Sequence, residues 1–441
     1  MTAMSLRQAL DGVVDGPVLA RDEVAGHYAR FAGVPATSRA STEPVMRYRV
    51  SDSDIPVVLG FYGSEERVRS TLPGLPARAG QARELLARTI PPVHVPDERT
   101  HWSGVDLSAL PVLRATPRDA GPYLTMGAVY ARRGGATAFS VHRMLVLGRD
   151  RLAIWMLPSR ALRAMHADAL AAGERLAVSV NIGIPPAAMI ASALSTALLP
   201  VDKLDVAGAL AGAPVALAPS SDGATSVVAD AEIALEGYIG AEESPEALDG
   251  MPDRSLPEFL GYDGSARDRV PVLTVTGVST VPSPVYQAVI GPGREQSVIL
   301  GVAGGVSLGL CLEDDLVVDA HFSPAGGGML LLAVALRKAS ASDDDRLPSL
   351  AQALLRRHPF VKLIVFTDDD VDVSCAEDVL WAMTTRSNLG VDAITLPGPG
   401  PLGMDPSQRP SWRRGGGEGR TYVDATIPFG LDAARSFGGG T

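Results

Sequence analysis

Ala138-Phe139-Ser140-Val141-His142-Arg143-Met144-Leu145-Val146-Leu147 reads as a β-strand, and its alternation sets Arg143 on one face with Phe139, Val141, Leu145 and Leu147. A guanidinium on an apolar face needs carboxylates. Outward from this stretch, further strands are predicted at Tyr123–Tyr130, Leu152–Leu157, Leu176–Asn181, Ala231–Ile239 and Val270–Val278, so residues 123–299 form a strand-rich core. Two helices interrupt it. Ser159 is expected to cap a helix running to Ala172 with Gly173 beyond it, and Pro185 and Pro186 open a second, Ala187–Leu199. That second helix is apolar all round, which predicts burial; its N-terminus favours an anion, and an ordinary core helix is the plainer reading.

The flanks differ in pattern. Before Trp102 a helix over Ser5–Val14, a buried strand at Pro56–Phe61 and a helix carrying Glu65, Glu66 and Arg67 make a small α/β module. Prolines at 91, 92, 96, 111, 117 and 122 mark the connection into the core. The final third returns to α/β with a strand at Val361–Phe366, and Ser374-Cys375-Ala376-Glu377 reads as a capping box for the helix that follows. Asp368, Asp369 and Asp370 suit either a magnesium site or a solvated turn, the turn being preferred. Gly398–Gly419 is rich in glycine and proline.

Composition excludes several classes. The 441 residues are 46% hydrophobic and 20% charged, with mean hydropathy +0.15, which is a globular rather than disordered chain. A net charge of −11 argues against a nucleic-acid partner bound through a general basic field. Cys311 and Cys375 are too few for a disulfide framework, so a reducing, cytoplasmic setting is expected. No signal peptide is expected at the start. No membrane segment is expected either, because Leu176–Val201, the long uncharged stretch, is interrupted by Asn181, Pro185, Pro186 and serines.

Chemistry-bearing motifs are sparse. None of the seven histidines pairs at helical zinc spacing, and serine-hydrolase and P-loop signatures are missing. Carboxylates for Arg143 are sought in Pro252-Asp253-Arg254-Ser255-Leu256-Pro257-Glu258-Phe259-Leu260-Gly261-Tyr262, two acids five positions apart. Arginine with carboxylates in a dry site grips a substrate carboxylate and leaves a neighbouring acid to move a proton; a structural ion pair fits the same pattern.

At these residues the chain resembles the UbiD family of reversible decarboxylases. The resemblance runs in order through Pro56-Val-Val-Leu-Gly-Phe-Tyr-Gly-Ser-Glu-Glu-Arg67-Val, Gly121-Pro-Tyr-Leu-Thr, Ser140-Val-His-Arg143-Met, Gly183-Ile-Pro-Pro-Ala-Ala, Ala207-Gly-Ala-Leu and Ala231-Glu-Ile-Ala-Leu-Glu236-Gly. It continues through Glu258-Phe-Leu-Gly-Tyr262, Asp368-Asp-Asp-Val-Asp-Val, Asp378-Val-Leu-Trp-Ala-Met-Thr-Thr-Arg386 and Asp424-Ala-Thr426. It implies an α/β (α+β) fold in three parts: an N-terminal α/β domain over 1–105, a central split β-barrel flavin-binding domain over 106–302, and a C-terminal α/β oligomerisation domain over 303–428, with a tail at 429–441. The activity it implies is non-oxidative decarboxylation of a small unsaturated or aromatic carboxylic acid through a covalent adduct to prenylated FMN. Arg143 would clamp the carboxylate, Asp253 would hold Arg143, and Glu258 would transfer the proton. The resemblance also implies a flavin prenyltransferase as cofactor supplier and a homodimer or larger homo-oligomer.

Flavin contacts carried over by the resemblance are Ser140, Val141, His142, Arg143, Arg160, Ser192, Leu194 and Lys203, with His142 equally readable as a packed strand residue and Arg420 as a further contact. The family's asparagine, histidine and glutamate, which hold a divalent metal and potassium at the flavin phosphate, fall here on Ala138, Ala161 and Lys203. The expectation is therefore a phosphate met directly by Lys203 and Arg160, with divalent metal and potassium absent; a solvated surface lysine is the other reading of Lys203. Two further alternatives stand: an enzyme with unmodified or no flavin, and a catalytically silent homologue that binds a ligand or stabilises a partner subunit.

Overall fold

The computed structural model describes residues 2–32, 43–195, 201–246, 266–291, 293–312, 314–398, 400, 402, 405–408 and 419–431. The chain divides into two compact units, one of residues up to 75 together with 84–303, the other of 76–83 together with the chain from 304 onward.

Six antiparallel strands of the first unit close into a barrel: β1 (Tyr123–Arg133), β2 (Ala136–Val146), β3 (Arg151–Ile154), β4 (Leu176–Ile182), β5 (Ile233–Ser244) and β6 (Val270–Thr280). Their order is β5–β4–β1–β2–β3–β6, and β6 pairs back onto β5 to close the ring. Closure leaves no open edge in the ring. The β1–β2 connection is a two-residue hairpin at Gly134 and Gly135, both at positive φ (58° and 83°), a turn that residues with a side chain rarely enter. Register fixes the two faces of β2. Met144 lies opposite Leu124 and Ile154, and all three join one large buried apolar cluster. Leu145 lies opposite Tyr123 and Ala153 on the other face, in a smaller cluster with Val270.

Helices α1 (Ala161–Ala171), α2 (Pro186–Ala193) and α3 (Lys203–Ala211) pack against this barrel unit. The helix starts differ from expectation. α1 is entered through Arg160 with no side-chain cap, so Ser159 does not play that role, and its last helical residue precedes Gly173 at φ 72°. α2 is buried from Pro186 to Ser192, as its composition requires, but ends at Ala193, where Leu194 leaves the helical conformation, six residues short of the predicted Leu199. The Ser5 helix is a single turn, Leu6–Ala9, because Ser5 and Gln8 cap it reciprocally and Gly12 follows. A sheet of short strands, including Met46–Val50 and Ser53–Leu59, completes the N-terminal part.

The second unit is built on a five-stranded mixed sheet, Val317–Phe322, Leu331–Leu336, Leu363–Asp368, Arg420–Ala425 and Ala393–Leu396 in that spatial order. One prediction changes here, and another resolves to its preferred turn. The cap of the Ala376–Thr385 helix is Cys375, since the Ser374 hydroxyl donates to Asp372 at 2.6 Å instead. The three aspartates are a turn bound to cations of the chain itself: Arg386 bridges Asp368 and Asp370 at 2.9 and 2.8 Å, and Arg337 meets Asp369 at 2.6 Å. Arg420 is buried, with Nη2 donating to the Gly400 carbonyl at 2.7 Å, which gives it a packing role inside this unit.

Candidate active site

Strand β2 carries the site along its length. At its start, Thr137, Ala138, Phe139 and Ser140 line a partly open cleft whose other walls are Arg160, Ala161, Val201, Asp202 and Lys203, a space of about 370 Å³ with open solvent included. The segment therefore brings together Ser140, Arg160 and Lys203 from three separate places in the chain. It also brings together Ala138, Ala161 and Lys203, the three positions where the resemblance places metal ligands.

Lys203 is 5% exposed, so it is not a surface lysine. Its Nζ donates to the Ser192 carbonyl at 2.7 Å, while the Ser192 hydroxyl turns back onto Met189 O. Burial holds the amine well below the ordinary lysine value, Arg160 lowers it further, and Asp202 opposes both. The Asp202 carboxylate is already engaged: Oδ1 caps α3 by accepting from Leu204 N at 2.8 Å, and Oδ2 accepts from the Thr137 hydroxyl. Burial also lowers Arg160, whose guanidinium has no hydrogen-bonding partner among the described residues. Two basic side chains thus share a cleft without a carboxylate bonded to either among the described residues.

His142 sits beside them, buried. Its Nδ1 lies 3.0 Å from the Trp155 carbonyl, an acceptor only, so Nδ1 carries the proton and Nε2 accepts from Ser140 Oγ at 2.8 Å. Burial, then Arg160 and Lys203, push this imidazole down to about 4, against the opposing bond to Trp155. Leu194 is buried at the end of α2 and Val141 half-buried on the Arg143 side of the strand.

Farther along β2, Arg143 is held by Glu246. Nη2 donates to Oε2 at 2.8 Å, and Nε lies 2.6 Å from Oε1, close enough for strong attraction although too oblique for a hydrogen bond. Glu246 is 1% exposed and Arg143 17%. Asp253 and Glu258 lie outside the described residues. Glu246 is thus an acid that the sequence reading missed. It stands just before the searched loop, behind Glu242 and Glu243, and alternation does not reveal which of three near neighbours turns inward. Just past β3, the Trp155 backbone N–H donates to the Arg143 carbonyl, and Arg267 stacks on the Trp155 ring at 4.5 Å. Glu246 N in turn donates to Arg267 O at 2.8 Å.

The donor set decides what the cleft can hold. A phosphate monoester fits, because Arg160 and Lys203 offer charge-assisted N–H donors to an anion. A divalent metal does not fit: Ala138 and Ala161 contribute methyl groups, and among the described residues no group of three or more His, Cys, Asp or Glu is placed to hold a metal ion.

The family model described as 3-octaprenyl-4-hydroxybenzoate carboxy-lyase Rift-related domain matches residues 89–295, and that of the corresponding C-terminal domain matches 299–425. The chain belongs to the UbiD family. Gallate decarboxylase of Lactiplantibacillus plantarum is 28% identical over 97% of this chain and 94% of its own length. Anhydromevalonate phosphate decarboxylase of Methanothermobacter thermautotrophicus is 28% identical over 96% of this chain and 97% of its own. Among solved structures, the apo 3,4-dihydroxybenzoic acid decarboxylase of Enterobacter cloacae superposes with a TM-score of 0.86 at 29% identity, over 97% of this chain and 95% of the other. An evolved dimeric form of the UbiD-class enzyme HmfF from Pelotomaculum thermopropionicum, solved with prFMN, gives 0.80 at 26% identity, over 98% and 97%. The mixed α/β architecture with its closed barrel is that of the UbiD class.

Proposed function

We propose that this UbiD-family carboxy-lyase decarboxylates a small unsaturated or aromatic carboxylic acid with prenylated FMN, whose phosphate is held by Arg160 and Lys203. The observation that carries the reading is the run of one strand from the cleft at Ser140 to the paired Arg143, roughly 10 Å at strand rise, which supports a phosphate site and a carboxylate site built on the same element. Relatives named for decarboxylation of gallate and 3,4-dihydroxybenzoate support the acid class.

When bound, prenylated FMN supplies an electrophilic carbon that accepts the electron pair left behind as carbon dioxide departs. The remaining work belongs to side chains. Arg143 orients the substrate carboxylate through the guanidinium edge not taken by Glu246, and Glu246 keeps that guanidinium from turning. Glu258 returns a proton to the carbon that lost carbon dioxide, and Asp253 adds a second carboxylate to the hold on Arg143. Lys203 stands where the family of the resemblance places a glutamate ligand, so the phosphate is met by a side chain of the protein in place of metal ions.

Co-production with a flavin prenyltransferase, followed by mass spectrometry and elemental analysis of the purified protein, tests this. Prenylated FMN without stoichiometric manganese is the expected content, and Arg143→Ala should abolish turnover while leaving the fold intact. Lys203→Glu should weaken flavin retention. Protein that acquires no flavin, or that turns over without Arg143, overturns the reading; stoichiometric manganese overturns the role of Lys203.

A further inference from the structure

Burying two cations side by side is costly unless an anion accompanies them, and such a group sheds its charge when it can. Arginine cannot; lysine can. In the cleft, among the described residues, each charged or titratable neighbour of the Lys203 amine has a known disposition. From the start of α1 comes Arg160, a fixed cation. From β2 come His142, neutral and bonded at both nitrogens, and Thr137, bonded to Asp202. From its own helix comes Asp202, which also faces Tyr130 on β1 and is spent on Thr137 and the cap of α3. From α2 comes only the neutral Ser192 carbonyl. The geometry leaves the amine with one acceptor and a like charge beside it, and burial works in the same direction.

We propose that the cleft takes up one proton together with the phosphate it binds, the Lys203 amine becoming an ammonium only as the dianion arrives. This rests on the phosphate role assigned to Lys203 above. The amine lone pair forms a new N–H bond with a proton drawn from the buffer, the phosphate keeps its charge, and no other bond is made or broken. The dianion supplies the countercharge that Asp202 does not, so binding and protonation strengthen each other.

Titration calorimetry of full-length protein with FMN decides the matter. It is run near pH 8.5 in phosphate-free buffers of different ionisation enthalpy, roughly two units above the second ionisation of a phosphate monoester at about pH 6. The slope of observed heat against buffer ionisation heat should show uptake of about one proton per FMN, and affinity should fall by up to about tenfold per pH unit on going more alkaline. Riboflavin, which lacks the phosphate, should produce no uptake. Lys203→Arg carries a permanent charge and should bind FMN with no uptake. Wild-type protein that binds FMN with no proton uptake overturns this inference and leaves the phosphate site standing. Uptake that persists in Lys203→Arg assigns the proton to another group and also overturns it. Should that variant fail to fold, the wild-type slope and the riboflavin control remain decisive. Failure of FMN to bind at all removes the phosphate reading and this inference with it.

Discussion

Arg143 has two edges on which a carboxylate can sit, and Glu246 occupies the one formed by Nε and Nη2. Among the described residues Nη1 has no partner, so the outer edge is the one a substrate can reach. A side-on acid of this kind fixes the plane of the fork, which is what distinguishes an oriented clamp from a point charge. Glu246→Ala should therefore act on both binding and chemistry: kcat/KM for the acid substrate falls by at least about tenfold, and the protein loses roughly 3 kcal/mol, the lower end for a broken buried pair because Arg143 keeps some exposure. A double-mutant cycle with Arg143→Ala checks it. If Glu246 acts through Arg143, removing it from the Arg143→Ala background, which has no turnover left to lose, should cost no further stability, against roughly 3 kcal/mol in the wild type. Equal effects in both backgrounds would assign Glu246 a separate role.

At the scale of elements, the barrel depends on the β5–β6 seam, and that seam has a register shift at Glu236/Gly237. A Cβ on Gly237 would meet the Thr274 carbonyl at 2.0 Å, backbone that cannot yield without opening the closure. Gly237→Ala should destabilise by more than about 4 kcal/mol, read as a large drop in the denaturation midpoint or loss of soluble protein. Gly26, inside the Arg21–Tyr28 helix with open space around its Cα, provides the opposite sign: Gly26→Ala should stabilise by about 0.5–1 kcal/mol in the same assay. The contrast also explains what was legible beforehand. Short apolar, β-branched runs exposed all six barrel strands, several of them buried on both faces, and alternation along Ala138–Leu147 exposed the face of Arg143. Neither exposed the ends: Leu152–Leu157 shortens to Arg151–Ile154, and β5 runs on to Ser244, since strand ends are set by partners elsewhere in the chain. The cationic cleft was reached through resemblance rather than pattern, as nothing local tells a buried lysine at a helix start from a solvated one. Glu246 was not legible at all, because three glutamates within five positions differ only in which one meets Arg143.

The molecule as a whole carries net charge −11, yet its cleft is locally positive and several buried groups are held away from their ordinary protonation. Glu295 is the clearest case in the first unit. Burial, reinforced by the nearby Glu43 carboxylate, raises it from 4.5 to about 8, against N–H donors from Gly60 and Tyr62 and the charge of Arg67. Its folded-state value lies above its unfolded one, so the native state holds a proton that the unfolded chain has released. That contribution is complete below pH 4.5 and is lost progressively until about pH 8, at about 1.4 kcal/mol per pH unit. His142, buried, and His358, half-buried, are both pushed down to about 4 and act with the opposite sign, since unfolding lets them bind protons between there and 6.5. Lys203 also opposes Glu295 wherever its lowered value falls. The pH profile of the wild type alone is therefore a mixture, and Glu295→Gln separates it: the amide oxygen keeps an acceptor for Tyr62 N, which bonds Oε1 at 3.1 Å, while nothing remains to ionise. Measured by chemical denaturation across pH 5 to 9, the stability of Glu295→Gln relative to wild type should climb steadily with pH, level off above about pH 8, and leave the histidine and lysine contributions cancelled in the difference. A difference that stays flat across that range would mean that Glu295 is already ionised in the folded protein, and that Arg67 and the two backbone donors outweigh its burial.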